Sequence, residues 1–289
     1  MRLEKKTMPV KYDNGTAGQI EINVPVREKN KCYIVGCAGS KELVPWDDPD
    51  AEYWGVNNLY GVPLKGAHFD RWFEIHNIWY DKNLNCLLRR GNKDFRGQSV
   101  ADYLKGLAAL NIPVYMQKYW VDAVPNSVPY PLQEVIQFFK DKGLTSDMAK
   151  YLTNTISIET ALAIREGFKE IQIWGVDMAV GTEYEHQRPS CEFWLGIAQG
   201  MGIKIYIPDE ADLLKTRFIY GFEETKQMAF NHKTDDMVKN MSRKLGELQN
   251  RIAADKSAAD QYAGAIHAVK EVKKIWSNLD DTLTGLRSS

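Results

Sequence analysis

Residues 151–178 read YLTNTISIETALAIREGFKEIQIWGVDM, and this stretch decides the fold class. Thr153, Asn154 and Thr155 form a polar turn. A helix follows from Thr155 to Gly167, and then an apolar run from Ile171 to Trp174 that ends in Gly175-Val176-Asp177. Such a short run closed by a glycine reads as a buried strand. A helix start presents unpaired N–H groups that favour an anion such as a phosphate. Asp177 then falls at the carboxyl end of a strand, where open α/β sheets place their ligands. Helix start and strand end together make half of a nucleotide site.

Outward from this segment the same alternation recurs. The predicted strands are Cys32 to Val35, Tyr53 to Val56, Arg71 to Ile75, Ile112 to Met116, Ile171 to Trp174 and Ile203 to Ile207. The predicted helices are Ser99 to Leu110, Leu132 to Lys140, Thr155 to Gly167 and Pro189 to Gly200. Short apolar runs alternating with helical stretches predict an α/β fold, a mostly parallel Rossmann-like sheet with helices on both faces. Residues 1–30 are polar and form an N-terminal arm, with one alternating segment, Gln19 to Val24, that suggests an edge strand or an arm. Lys118 to Tyr130 is rich in Pro and aromatics and has no period, so it is expected to be a loop able to cover a site.

From about Phe222 the composition changes. Met241, Leu245, Leu248, Ile252, Ala259, Tyr262, Ile266, Val269 and Trp276 alternate at four- and three-residue steps, with Asp255 and Lys273 at two of the same seam positions. A heptad seam of this length predicts an α-helical coiled-coil extension, where polar seam residues fix register or mark a bend. It can pack on its own domain, on another copy of the chain, or on a different protein. The expected domains are the arm at 1–30, a Rossmann-like nucleotide-binding domain at 31–221 and a helical coiled-coil tail at 222–289.

Composition excludes several classes. The chain has 289 residues, 44% of them hydrophobic and 26% charged, enough for one α/β domain of about 220 residues with a full core and an appendage. A net charge of -1 argues against nucleic acid held by bulk charge. Cys32, Cys37, Cys86 and Cys191 are scattered, with neither a CxxC pair nor a histidine at ligand spacing, and read as buried or inert thiols of a reducing cytoplasm. No signal peptide opens the chain and no window approaches the ~20 apolar residues of a membrane span. The expectation is a cytoplasmic protein with no membrane contact.

The candidate chemistry lies at predicted strand ends. Gly36-Cys37-Ala38-Gly39-Ser40 follows the first core strand: Gly36 and Gly39 let the backbone approach a ligand, and Ser40 can cap a helix or touch phosphate. It is neither a dinucleotide fingerprint nor a P-loop. Asn57 and Asn58 end the second strand and His76 the third. These neutral donors and acceptors suit the edge of a base or the hydroxyls of a sugar. After Asp177 comes a polar loop with Tyr184, His186 and Arg188, in which His186 can take a proton near neutral pH and Arg188 can meet a phosphate in forked geometry. Asp47-Asp48-Pro49-Asp50 is acidic enough to attract a cation but reads more simply as a turn. No Ser-His-Asp or Cys-His set stands out, and no metal or cofactor is expected.

With these residues in view, the chain resembles the bacterial lipooligosaccharide sialyltransferases of glycosyltransferase family 42, and more closely phage-encoded proteins with the same order of motifs. The resemblance is carried by Ile34 to Ser40, Val56 to Tyr60, Ala161 to Ile171 with Gly175-Val176-Asp177, and Ile203 to Pro208. It covers residues 31 to about 215. It implies a cytidine-type nucleotide sugar bound without an Asp-x-Asp metal site, His186 as general base, Asn57 reading nucleotide or sugar, and Thr155 at the phosphates. Cys37 replaces the asparagine of the family's first turn, Gly39 its proline, and Asn154-Thr155-Ile156 its Thr-Ser-Gly, while His76 falls where the family has an asparagine.

The expected function is that of a glycosyltransferase-like enzyme moving a sugar from a nucleotide to an acceptor hydroxyl, inverting and metal-independent. Three alternatives remain open: a non-catalytic phage protein that binds or sequesters a nucleotide, an assembly protein working through its tail as a homo-oligomer or with a partner protein, and a pyrophosphate-transferring enzyme on a related sheet.

Overall fold

The computed structural model describes residues 2–11, 17–81, 86–89, 99–120, 122–144, 147–178, 186–215, 219, 222 and 226–285. The chain divides into two compact units, Met1–Lys215 and Thr216–Ser289.

The first unit is built on a seven-stranded parallel sheet. Its strands are β3 (Lys31–Val35), β4 (Ala51–Val56), β5 (Arg71–Glu74), β8 (Val114–Met116), β9 (Ser127–Pro129), β10 (Glu170–Trp174) and β11 (Lys204–Tyr206). Across the sheet they run in the order β11-β10-β3-β4-β5-β8-β9. The chain builds outward from β3 to β9, then returns to lay β10 on the free side of β3 in parallel register, Trp174 beside Val35. This return makes β3 and β10 the topological switch point, where the connections leave toward opposite faces and open a crevice at the carboxyl ends.

The inner strands are buried on both sides, as the middle of a parallel sheet must be, whereas the edge strand β11 has Lys204 and Tyr206 exposed. Cys32 and Ile34 point into one core with Trp54, Phe73, α2 (Leu132–Asp141), α3 (Thr155–Glu166) and α4 (Arg188–Gly200). Tyr33 and Val35 point into the other, with Tyr53, Trp72 and α1 (Val100–Ala108). The predicted helices on both faces are therefore present, and all six predicted strands and all four predicted helices exist, with ends shifted by a residue or two. Their caps are the ones the residue types favour. Ser99 accepts from Asp102 N at 3.1 Å, Asn154 from Ser157 N at 2.9 Å, and Gly167 ends α3 at φ 80°.

One expectation is corrected. The segment from Lys118 to Tyr130 is not simply a loop, because Ser127–Pro129 forms the outermost strand, β9, paired with β8. Three residues are too few to show a period. The alternating segment at Gln19 to Val24 is a strand, the middle of β2 (Ala17–Val26), which pairs antiparallel with β1 (Arg2–Lys11) as a long hairpin of its own. Ile22 of this hairpin reaches the core. A cavity of about 760 Å³ opens between the hairpin and the β8–β9 side, lined by Met8, Val24, Tyr115, Tyr130 and Arg165 among others, and by none of the predicted site residues. A second small hairpin pairs β6 (Ile78–Asp81) with β7 (Cys86–Arg89).

The second unit contains one long helix, α5 (Lys226–Gly285). No helix among the described residues is long and apolar enough to cross a membrane.

Candidate functional site

Parallel strands send all their carboxyl ends to one edge. By chain order that edge receives Gly36 after β3, Asn57 after β4, His76 after β5 and Asp177 after β10. The starts of α3 and α4 arrive there as well, because crossover helices run back toward the amino edge.

The centre is the crossing of Gly36 and Gly175. Gly36 N donates to Trp174 O at 2.8 Å, and Ala38 N donates to Gly175 O at 2.8 Å. Gly175 has φ 63°, which favours glycine, and a Cβ there would stand 2.5 Å from the Gly36 carbonyl oxygen. Ser40 locks the crossing: its Oγ accepts from Gly175 N at 2.9 Å and donates to Asp177 Oδ1 at 3.3 Å. Ser40 is buried and begins no α-helix; it lies in a single 3-10 turn, Gly39–Leu43. Gly39 is open, with nothing within 4 Å of an added Cβ.

On the β4 side, Asn57 takes φ 50°, in the left-handed region that asparagine tolerates, and its carbonyl accepts from Trp72 Nε1 at 3.0 Å. Its side-chain oxygen Oδ1 is buried without a hydrogen-bond partner. Asn58 Oδ1 faces the Cys37 thiol at 4.0 Å. Cys37 is exposed, whereas Cys32 and Cys191 are buried, and burial pushes the Cys191 thiol up to about 11.

The β5 end holds an arrangement the spacing did not reveal. Glu74 is fully buried, and its carboxylate accepts from His76 N at 3.1 Å and meets His76 Nδ1 at 2.7 Å. Its other oxygen accepts from the Tyr103 hydroxyl of α1. His76 is 36% exposed, so a half-open imidazole is fixed through Nδ1 by a carboxylate that water cannot reach. Sequence reasoning found His76 but missed Glu74 and Tyr103. The one available signal was a glutamate inside an apolar strand, two residues before a histidine.

The α3 start is tied to α4. Thr153 Oγ1 and Ser190 Oγ share a hydrogen bond of 2.7 Å, and Asn154 Nδ2 donates to Gln187 O at 3.3 Å while Asn154 Oδ1 caps Ser157. These side chains hold two helix starts side by side, and Thr155 opens the first turn of α3. Arg188 is paired with Glu192, Nε to Oε1 at 2.7 Å. His186 is exposed, with no hydrogen-bond partner among the described residues. Tyr184 lies outside the described residues.

Among the described residues no three His, Cys, Asp or Glu side chains gather at metal-binding distance. The acidic run is a turn: Asp48 accepts from Lys31 Nζ at 2.8 Å, Tyr33 Oη at 2.6 Å and Asp50 N at 3.0 Å.

No protein-family model matches the chain, and no curated protein sequence matches it. Solved structures do. The sialyltransferase CstII from Campylobacter jejuni in complex with the substrate analogue cytidine-5'-monophosphate is 15% identical, over 71% of this chain and 97% of that one, with a TM-score of 0.38. The same enzyme in complex with CMP-3FNeuAc is 16% identical, over 68% and 91%, with a TM-score of 0.40. An alpha-2,3-sialyltransferase from Campylobacter jejuni in apo form is 13% identical, over 73% and 97%, with a TM-score of 0.41.

Proposed function

We propose that the chain is a glycosyltransferase-like enzyme that binds a nucleotide sugar at the carboxyl edge of its sheet and moves the sugar to an acceptor hydroxyl. The observation that carries this reading is the meeting at one sheet edge of a glycine crossing at the switch point, a capped helix start and a histidine held by a buried carboxylate. The crossing at Gly36 and Gly175 brings bare backbone to the crevice, as close approach of a ligand requires. Gly36 and His76 follow strands two places apart, about 10 Å at the usual strand spacing, a distance that a phosphate and a sugar span.

In this reading the acceptor hydroxyl gives its proton to a histidine, and its oxygen bonds to the anomeric carbon from the face opposite the phosphate. The carbon–oxygen bond to the phosphate breaks as the new bond forms, inverting the centre. The leaving phosphate carries the charge away and is met by the N–H groups that open α3 at Thr155. Arg188 is held through Nε by Glu192, which leaves its two terminal nitrogens to meet that phosphate beside the helix N–H groups. No metal is assigned. Asn57, with its buried unpartnered oxygen, and Asn58 select base or sugar, and a cytidine-type donor is what the sequence resemblance implies.

Two histidines compete for the base. His186 has the position that resemblance implies, and His76 has the orienting carboxylate that a base needs to keep one tautomer and to stabilise the imidazolium. The geometry favours His76.

A thermal-shift screen of nucleoside mono- and diphosphates and their sugars, followed by a donor-turnover assay, tests the reading. Stabilisation by a nucleotide together with release of its sugar is expected. Stabilisation without turnover would make the chain a nucleotide-binding protein, and no stabilisation by any nucleotide would remove the reading.

A further inference from the structure

α5 runs unbroken from Lys226 to Gly285. Along it Leu245, Ile252, Tyr262, Ile266, Val269 and Trp276 are each more than half exposed. They share one heptad seam, in which large apolar side chains at a and d positions pack against another helix. Asp255 and Lys273 occupy two positions of the same seam, nine residues to either side of Gly264. A charge inside a seam is costly unless it is matched, and its best-attested use is to fix register and orientation.

The two charges discriminate between pairings. In a parallel, in-register pair each residue meets its own copy, so Asp255 faces Asp255 and Lys273 faces Lys273, with like charges in two layers. In an antiparallel pair a positions lie level with d positions. Turning a second copy end for end about Gly264 sets Asp255 against the partner's Lys273 twice per pair. That same register sets Ala259 against the partner's Val269 and Tyr262 against the partner's Ile266 between the charges, and Ile252 against the partner's Trp276 just outside them, so these apolar layers also match. Within one continuous helix Asp255 and Lys273 are about 27 Å apart along the axis, so the two meet each other only across two chains.

We propose that α5 docks antiparallel on α5 of a second copy of this chain, with the two-fold axis at Gly264. The seam charges are complementary to themselves under that operation, which selects a second copy over an unrelated partner.

Sedimentation of the full chain at micromolar concentrations tests this. The wild type is expected to be a dimer. Asp255→Lys and Lys273→Asp are each expected to weaken it about tenfold or more, and the double variant to restore it. A monomer, or any stoichiometry other than two, would overturn the proposal, as would a dimer indifferent to either reversal. A double variant as weak as the singles would show that the two charges do not meet and would overturn it too. Lysine cross-linking of mixed light- and heavy-isotope wild-type copies gives a readout that does not depend on the variants. Links from Lys256 to the partner's Lys270 or Lys274 are expected, and a link from Lys256 to the partner's Lys256 would overturn the antiparallel register.

Discussion

Gly36 and Gly175 are in backbone contact across the β3–β10 crossing. A Cβ on Gly175 would meet the Gly36 carbonyl oxygen at 2.5 Å, and one on Gly36 would come closer still to the Gly175 carbonyl. Neither oxygen is the end of a flexible side chain, so the strands themselves would have to part. Gly175 also needs its positive φ. Gly175→Ala is therefore expected to cost about 2–4 kcal/mol in urea unfolding, combining backbone strain with overpacking. Gly39→Ala, into open space, should change stability by no more than about 0.5 kcal/mol. Equal effects at the two positions would show that the crossing is looser than described.

At the β5 end, Glu74 fixes His76 through Nδ1. If His76 is the base, His76→Ala should lower sugar transfer by about 10²- to 10⁴-fold, the usual range for a positioned proton acceptor. Glu74→Gln removes the negative charge and is expected to reduce kcat with little change in KM, because the carboxylate acts on the imidazole and not on the substrate. His186→Ala should cost less than His76→Ala. The reverse order in a donor-release assay would return the role to His186.

How much of this was legible follows from what a sequence can encode locally. The alternation of apolar runs and helical stretches revealed the parallel sheet, since each strand of β3, β4 and β10 is a continuous buried run bounded by glycine or asparagine. Asn154 was visible as a helix start because capping depends on residues three apart. What it links to was not visible: Thr153 meets Ser190, and Asn154 meets Gln187, only because α3 and α4 pack side by side. Glu74 was hidden for the same reason, since its partner Tyr103 comes from α1. The β1 strand and three-residue β9 escaped because one is as polar as a solvated arm and the other is too short to have a period.

The amino edge of the sheet holds a buried charge network that makes another prediction. Arg71 is fully buried. Its Nη1 donates to Glu166 Oε1 at 2.8 Å, and its Nε lies 2.9 Å from Glu52 Oε2 as an ion pair off the hydrogen-bond line, leaving Nε and Nη2 without hydrogen bonds. The guanidinium stacks over Trp54 at 4.8 Å. Arg71→Leu would leave Glu52 buried beside no cation and should destabilise the fold by about 3–5 kcal/mol, whereas replacing Arg71, Glu52 and Glu166 together by apolar residues should recover much of that loss. Urea unfolding of the two variants measures the difference; a triple variant less stable than the single would show that the network is worth more than its desolvation.

Glu159 lies inside α3, completely buried, with neither carboxylate oxygen hydrogen-bonded. Burial alone pushes its carboxyl well above the usual 4.5, which favours the neutral form in the fold. The sign of the pH dependence follows. Below the unfolded value both states hold the proton and the group is without effect. Above it the unfolded chain releases the proton while the fold keeps it, so stability falls by about 1.4 kcal/mol per pH unit until the folded group ionises. Glu159→Gln cannot titrate and removes this slope. The variant is expected to gain on the wild type as the pH rises from 5 to 8, measured as the difference in urea unfolding free energies. Glu52, also raised by burial, is present in both proteins and cancels. Parallel pH profiles for the two proteins would mean that Glu159 is ionised in the fold, and that the interior of α3 is wetter than its packing implies.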